Sequence, residues 1–385
     1  MKKKITKKMA KTTPLNKAQK KSLVRCLKVD IKNLDSKRKE LRDKGWLSHE
    51  YKIKREENTA FIPLRKEAHV SGSKGTRLVS KLMTPVQKVL DYREQLAKIL
   101  STEEQAYAPH AFDLIGDICL LRLDERLVSK PKTTQKIGAI FLNCIPSIHA
   151  VYTRTGEYEG ELRTQKVQYL AGRCSTETMH HENGIKLLLD IEKVYFSVRS
   201  ATERMRIANQ VVAGEKIIIM FSGCSPYECC LGKNSPAAKI VGIELNQIAH
   251  QYGLVNCALN KLEEKVTLYC GDVRRIVPQM QKQKGGTKRG AEMVRFDRII
   301  MPLPRTAENF LDLIPLIAKK GTTIHLYQFG EWGSTAILKK KCHTIIAEHL
   351  PHMKFRINQI ASCGQFSPRV YRICVDFVIT SSEKK

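Results

Sequence analysis

Between Lys216 and Tyr327 five short apolar runs recur, each separated from the next by a stretch with helical spacing. They are Lys216-Ile-Ile-Ile-Met-Phe221, Lys239-Ile-Val-Gly-Ile-Glu244-Leu245, Val266-Thr-Leu-Tyr-Cys270, Phe296-Asp-Arg-Ile-Ile-Met301 and Gly321-Thr-Thr-Ile-His-Leu-Tyr327. A strand with one wet face alternates apolar and polar residues, whereas these runs are apolar nearly throughout. Such strands are covered on both faces, and the intervening helices (201–213 and 246–260 among them) supply the covers. The pattern predicts a doubly wound α/β domain with a mostly parallel sheet over residues 191–385.

At roughly 150 residues per domain, a chain of 385 residues has room for two further, smaller units. Cys26-Leu-Lys-Val-Asp-Ile alternates like a half-buried strand, 32–44 reads as a helix, and Tyr51-Lys-Ile-Lys and Ala60-Phe-Ile-Pro-Leu read as further strands. This predicts a small α+β module over 23–67, followed by a linker and helix over 68–110. A second α+β domain is expected over 111–190, with two strands meeting at Gly116, a helix over 132–149 and a hairpin through Thr178–Ile191. Residues 1–22 hold nine Lys and no acid, so they read as a basic arm unable to bury a core.

The chain carries 67 Lys and Arg against 38 Asp and Glu, a net +29. Such an excess opposes compact folding unless a polyanion matches it. No run of 18 apolar residues exists to span a bilayer, which favours nucleic acid over membrane. Twelve Cys scattered through a chain without a secretory leader read as reduced thiols of a cytoplasmic protein.

In a doubly wound sheet, ligands sit beyond the carboxyl ends of the strands. After the first strand comes Phe221-Ser-Gly-Cys-Ser-Pro-Tyr, in which Gly223 lets backbone approach a ligand closely. Glu244, followed by Leu245, ends the second strand, placed for ribose hydroxyls. Asp272, followed by Val273, ends the third, placed for a purine edge. The loop lacks the glycines of a pyrophosphate fingerprint and the Lys-Ser or Lys-Thr of a P-loop. A nucleoside without phosphates needs less, and S-adenosyl-L-methionine is such a nucleoside. Either acid alone could be an ordinary strand-end cap.

These residues carry a resemblance. Gly160-Glu-Leu-Arg163, His181-Glu-Asn-Gly184, Lys193-Val-Tyr-Phe-Ser-Val-Arg199, Thr202-Glu-Arg204, Cys270-Gly-Asp-Val-Arg274 and Ser367-Pro-Arg-Val-Tyr371 resemble, in that order, the archaeal and eukaryotic tRNA guanine-37 N1-methyltransferases. Cys26-Leu-Lys-Val and Ala60-Phe-Ile-Pro-Leu extend the likeness to the small first module. The resemblance implies a Rossmann-like methyltransferase domain behind two smaller domains, the first touching the tRNA body. It implies methyl transfer from S-adenosyl-L-methionine to N1 of guanine 37 in the anticodon loop. Guanine N1 must lose a proton before it attacks, and charge then gathers on O6. By position, Glu203 matches the general base and Arg163 the group that stabilises O6. The cofactor set becomes Phe221, Gly223, Glu244, Leu245, Asp272, Val273 and Pro302. Tyr195, Arg199, Pro368 and Arg369 are expected to hold the RNA loop. A sulfonium is already an activated donor, so no metal is expected; neither is a membrane partner, and a monomer is.

Two departures stand out. Met301-Pro302-Leu-Pro304-Arg305 replaces the family's Asn-Leu-Pro, and Ser225 stands where a second Gly is common. The alternatives are an aminocarboxypropyl transferase of the wybutosine pathway and a non-catalytic RNA-binding relict. Gly271-Asp-Val-Arg274 and Leu303-Pro304 speak against the transferase, and intact Glu203, Arg163, Glu244 and Asp272 against the relict. Cys224, Cys229 and Cys230 lack paired metal-ligand spacing and read as buried thiols. His180 and His181 read as hairpin residues, and Lys282, Lys284, Lys288 and Arg289 as a basic loop.

Overall fold

The computed structural model describes residues 21–382 except 71, 73–74, 86–90, 157–159, 285–293, 304, 332, 334 and 368. The arm over 1–20, Pro368, Lys288 and Arg289 therefore lie outside the described residues. The chain divides into two compact units, Met1–Val89 and Leu90–Lys385.

In the first unit β1 (Ser22–Asp30) is central. α1 (Leu34–Asp43) follows it, then β2 (Lys54–Glu56), β3 (Thr59–Pro63) and β4 (Thr76–Met83), in the antiparallel order β2-β3-β1-β4. Leu34 and Leu41 of α1 pack on Leu27, Val29 and Ile62. Two sequence expectations change. Residues 76–83, expected within the 68–110 linker, pair with β1 from Ser22 opposite Met83 to Val29 opposite Thr76. An edge strand needs only to offer backbone groups, and Arg77, Ser80 and Lys81 hide its period. Tyr51 makes only an isolated bridge, to Pro85.

The second unit opens with α2 (Tyr92–Ile99). β5 (Phe112–Ile115), β6 (Ile118–Leu121), α3 (Pro131–Cys144), β7 (Ala150–Arg154) and β8 (Val167–Gly172) follow, in sheet order β5-β6-β7-β8. Along β6 the side chains alternate between two cores. Cys119 and Leu121 join Phe141 and Ile137 of α3, while Ile118 and Leu120 face Ile217 and Ile219 of the large sheet. This is why β6 is apolar at every position.

β9 (Glu177–Glu182) and β10 (Ile185–Asp190) form the expected hairpin. Its Ile185, Leu187 and Leu189 lie in the same core as Ile118 and Ile217. One core thus runs across the expected boundary at 190, while the 96–171 part and the large sheet each keep a further core of their own.

The remaining elements are α4 (Ala201–Ala208), β11 (Lys216–Met220), α5 (Pro226–Asn234), β12 (Lys239–Glu244), α6 (Gln247–Leu259), β13 (Val266–Cys270), α7 (Val273–Lys284), β14 (Phe296–Met301), β15 (Ala318–Glu331), α8 (Thr335–His349), β16 (Met353–Ser367) and β17 (Val370–Ser382). The sheet runs β13-β12-β11-β14-β15-β17-β16. β11 through β15 are parallel, and β17 and β16 return antiparallel. From β11 the chain steps outward to β12 and β13, then returns to β14 on the other side. A crevice at the carboxyl ends of β11 and β14 is the geometric result.

Candidate active site

The loop after β11 is bent by three left-handed residues, Phe221 (φ 66°), Gly223 (φ 56°) and Ser225 (φ 63°). Two hydrogen bonds clamp it to β12: Ser222 N donates to the Ile243 carbonyl at 2.9 Å, and Gly223 N to Glu244 Oε2 at 2.6 Å. Glu244 Oε1 accepts from Asn246 N at 2.8 Å. Burial pushes the Glu244 carboxyl up from its ordinary value, tempered by these backbone N–H groups. A Cβ on Gly223 would come within 3.5 Å of the Tyr195 carbonyl, so the loop and the 193–199 segment meet there.

Phe221 packs edge-on against Phe310 at 4.9 Å. Asp272 Oδ1 accepts from Arg274 N at 2.8 Å and so caps α7. The Val273 side chain is buried in the core, which leaves only its backbone for a ligand. Leu245 is exposed and Pro302 half-buried. The structure therefore brings Phe221, Gly223, Glu244, Asp272 and Pro302 to one edge of the sheet.

Glu203 lies in the first turn of α4 and is buried. Arg206, one turn on, donates from Nε to Oε2 at 2.7 Å and from Nη2 to Oε1 at 2.8 Å. Tyr327 in β15 donates its hydroxyl to Oε1 at 2.7 Å, and Tyr227 donates to Tyr327 at 2.8 Å. Arg206 also grips Asp376 at 2.5 Å, and Asp376 accepts from His325 Nδ1 at 2.6 Å. The helix is anchored by the hairpin motif: Arg204 forks onto both oxygens of Glu182 at 2.6 and 2.7 Å, and Asn183 donates to the Ala201 carbonyl at 2.9 Å. Burial alone would raise the Glu182 carboxyl, but bonds from His180 and Arg204 hold it below its usual range.

Arg163 sits in the turn after Gly160 with φ 52°. Burial lowers its guanidinium from its ordinary value; Tyr195 opposes this and Arg305 adds to it. Tyr195 and Arg305 thus act on Arg163, while the carboxylate of Glu203 is bonded by Arg206. Arg199 is exposed and bonded to Asp113 at 3.0 Å. Arg369 is exposed in the β16–β17 turn with φ 66°.

Three family models match in order along the chain: the tRNA methyltransferase 5 N-terminal domain over 26–71, the TYW2 N-terminal domain over 92–176 and the TRM5/TYW2 methyltransferase domain over 178–355. The chain is 31% identical to the tRNA (guanine(37)-N(1))-methyltransferase Trm5b of Pyrococcus abyssi, over 92% of this chain and 98% of that one. The chain belongs to the archaeal and eukaryotic tRNA (guanine-37 N1)-methyltransferase family. The crystal structure of Pyrococcus abyssi Trm5b superposes with a TM-score of 0.65 at 31% identity, covering 93% of this chain and all of that one. A complex of aTrm5 with tRNALeu gives 0.64 at 27% identity, covering 92% and 99%.

Set against that family, the two departures acquire structural meaning. Ser225 occupies a left-handed N-cap position of α5 with its Oγ buried and without a partner among the described residues. Pro302 follows β14 at the crevice, where it can offer only its carbonyl. Arg206, Arg305 and Tyr327 were not singled out from the sequence. Arg206 was detectable as a cation three residues after an acid on a helix, while Tyr327 and Arg305 carry no local signal. The thiols of Cys224, Cys229 and Cys230 are buried and free. His325, Cys374 and Asp376 lie close enough to hold a metal, but Arg206 already neutralises Asp376, and Arg298 bonds His325 at 2.6 Å. A further cation there would be opposed by two guanidinium groups.

Proposed function

We propose that this chain transfers the methyl group of S-adenosyl-L-methionine to N1 of guanine 37 in tRNA, as a monomeric cytosolic enzyme. Ten of its twelve thiols are buried and free, which suits a reducing compartment. No helix among the described residues is long and apolar enough to cross a membrane. The small first module and the exposed Arg369 of the second unit are read as tRNA contacts, as is the basic sequence of the 280–292 insertion.

The crevice fits the cofactor. The loop opens backbone at Gly223, and Glu244 keeps a lone pair on each oxygen beyond its bonds to Gly223 and Asn246. A carboxylate in that place favours ribose hydroxyls and disfavours phosphate. Phe221, Leu245, Asp272, the backbone of Val273 and Pro302 would complete the set. When bound, the sulfonium supplies a methyl group already activated for transfer, so the chain need only prepare the acceptor.

The observation that carries the reading is the half-buried Arg163 guanidinium, on which both Arg305 and Tyr195 act, the backbone of Tyr195 meeting the Gly223 loop. A partly desolvated guanidinium in the field of a second cation gains from an oxyanion, and guanine O6 becomes one as N1 loses its proton. Glu203 takes that proton, and Arg206 and Tyr327 fix the direction in which its free lone pair points. Tyr195 and Arg199 border the flipped base, with Pro368 and Arg369 holding the loop.

Purified protein incubated with the methyl-labelled cofactor should label transcripts bearing guanine at position 37 and not those lacking it. Equal labelling of both, or none, would overturn the reading. The match of 92–176 to the TYW2 N-terminal domain keeps a second activity in view, aminocarboxypropyl transfer at the same tRNA region. The mass added to the tRNA separates the two.

A further inference from the structure

Arg305 faces two ways. Its charge acts on Arg163, and it lines a cleft together with Glu308, Gln328, Phe329 and Lys341. We infer that this cleft is a second nucleobase subsite, taking an unpaired, amino-bearing base of the RNA next to the target guanine. The inference rests on the proposed RNA substrate and adds to it a recognition site outside the methyl-transfer centre.

Its rim is an aromatic platform. Phe366 is 56% exposed, its ring lies 4.5 Å from that of Phe329 at 45°, and Arg305 stands 5.9 Å over it. An aromatic surface left open beside a guanidinium suits the π-face of a base.

Its interior is polar and unsatisfied. Gln328 is only 6% exposed, lines the cleft and makes no side-chain hydrogen bond to a described residue. Glu308 Oε2 is buried without a partner among the described residues. A buried carboxylate oxygen left unpaired is costly, so with the unbonded Gln328 amide lining the same cleft it points to a ligand that pairs both. The carboxylate accepts only, so it requires an N–H; the amide can donate to a ring nitrogen or carbonyl beside it. An exocyclic amine next to an acceptor, as on adenine, guanine or cytosine, satisfies the two at once. Glu308 keeps phosphate out of the interior, while Lys341 and Arg305 at the rim accommodate the backbone.

The test is equilibrium binding of full-length protein to tRNA transcripts with each base flanking position 37 replaced in turn by an abasic site. At one flanking position the wild type should lose about 10-fold in affinity. Phe366→Ala should lose about as much with intact RNA and show no further loss with that abasic transcript, a coupling that separates base stacking from general destabilisation. Replacing that base by a purine without an exocyclic amine should weaken the wild type but leave Gln328→Leu unchanged. Cofactor affinity should stay the same in both variants. Losses that add in full at every flanking position would overturn the subsite. Because binding is read without methyl transfer, coupling in a protein that labels no tRNA would sink the methyltransferase reading alone. Labelling without coupling would sink the subsite alone.

Discussion

The Arg206 guanidinium holds both oxygens of Glu203, at 2.7 and 2.8 Å, while its other face binds Asp376. A carboxylate buried in this way is oriented before substrate arrives: Arg206 on its own helix balances its charge, and the Tyr327 hydroxyl, far along the chain, donates to Oε1. Loss of the carboxylate should therefore act on chemistry and on stability by separate routes.

Glu203→Gln should lower the single-turnover rate about 10²- to 10⁴-fold, the usual worth of a positioned base, while tRNA affinity stays within about 3-fold. The melting temperature should also fall, because Arg206 keeps only Asp376 as a charged partner. Wild-type single-turnover rates in this variant would exclude the general-base role.

Asp376 anchors the far end of the same network. Burial would raise its carboxyl, but His325 and Arg206 hold it well below the usual carboxylate range. A depressed folded value means that its contribution is present above the unfolded value of about 3.9 and lost as pH falls below it. Asp376→Asn should cost about 3–5 kcal/mol at pH 7 by leaving Arg206 and His325 without their shared anion. Denaturant titrations at pH 7 and pH 3 should show that deficit shrinking in acid; a deficit independent of pH would contradict the assignment.

Glu228 in α5 is wholly buried beside Gly242 and Ser222, and no cation pairs with its carboxylate among the described residues. Burial pushes its carboxyl up to about 8, with the Ser222 hydroxyl tempering it and Glu244 adding to it. For a raised value the sign reverses: the contribution is full below the unfolded value of about 4.3 and is lost as pH rises through about 8. Wild-type stability should decline between pH 5 and pH 8 by up to about 1.4 kcal/mol per unit. Glu228→Gln should flatten that slope and be the more stable protein at pH 8, as read by chemical denaturation.

Ser225→Gly should stabilise the protein by about 1 kcal/mol. The change removes a side chain from a left-handed position and deletes a buried hydroxyl that bonds nothing among the described residues. Calorimetry of the two proteins checks it. A lower melting temperature in the variant would mean that Ser225 packing on Gly253 outweighs the strain.

Some of this was legible in the amino-acid order. The five apolar runs required strands covered on both faces, and parallel strands put Phe221, Glu244, Asp272 and Pro302 at one edge, because strand ends on the same side of a parallel sheet meet. The hairpin turning at Gly184 and the helix carrying Glu203 were visible from local spacing. What spacing could not contain is who answers whom. Arg206 and Asp376 are 170 residues apart, and Tyr327 is 124 from Glu203; only the sheet order brings their strands beside α4. The role of Glu182 and Asn183 in anchoring that helix, the strand at 76–83 and the burial of Glu228 are likewise invisible to periodicity. The chain's order therefore decided which faces are apolar and where strands end, since those are properties of neighbours in sequence. Folding in three dimensions decided each charge's partner and environment, since desolvation and ion pairing depend on distance through space.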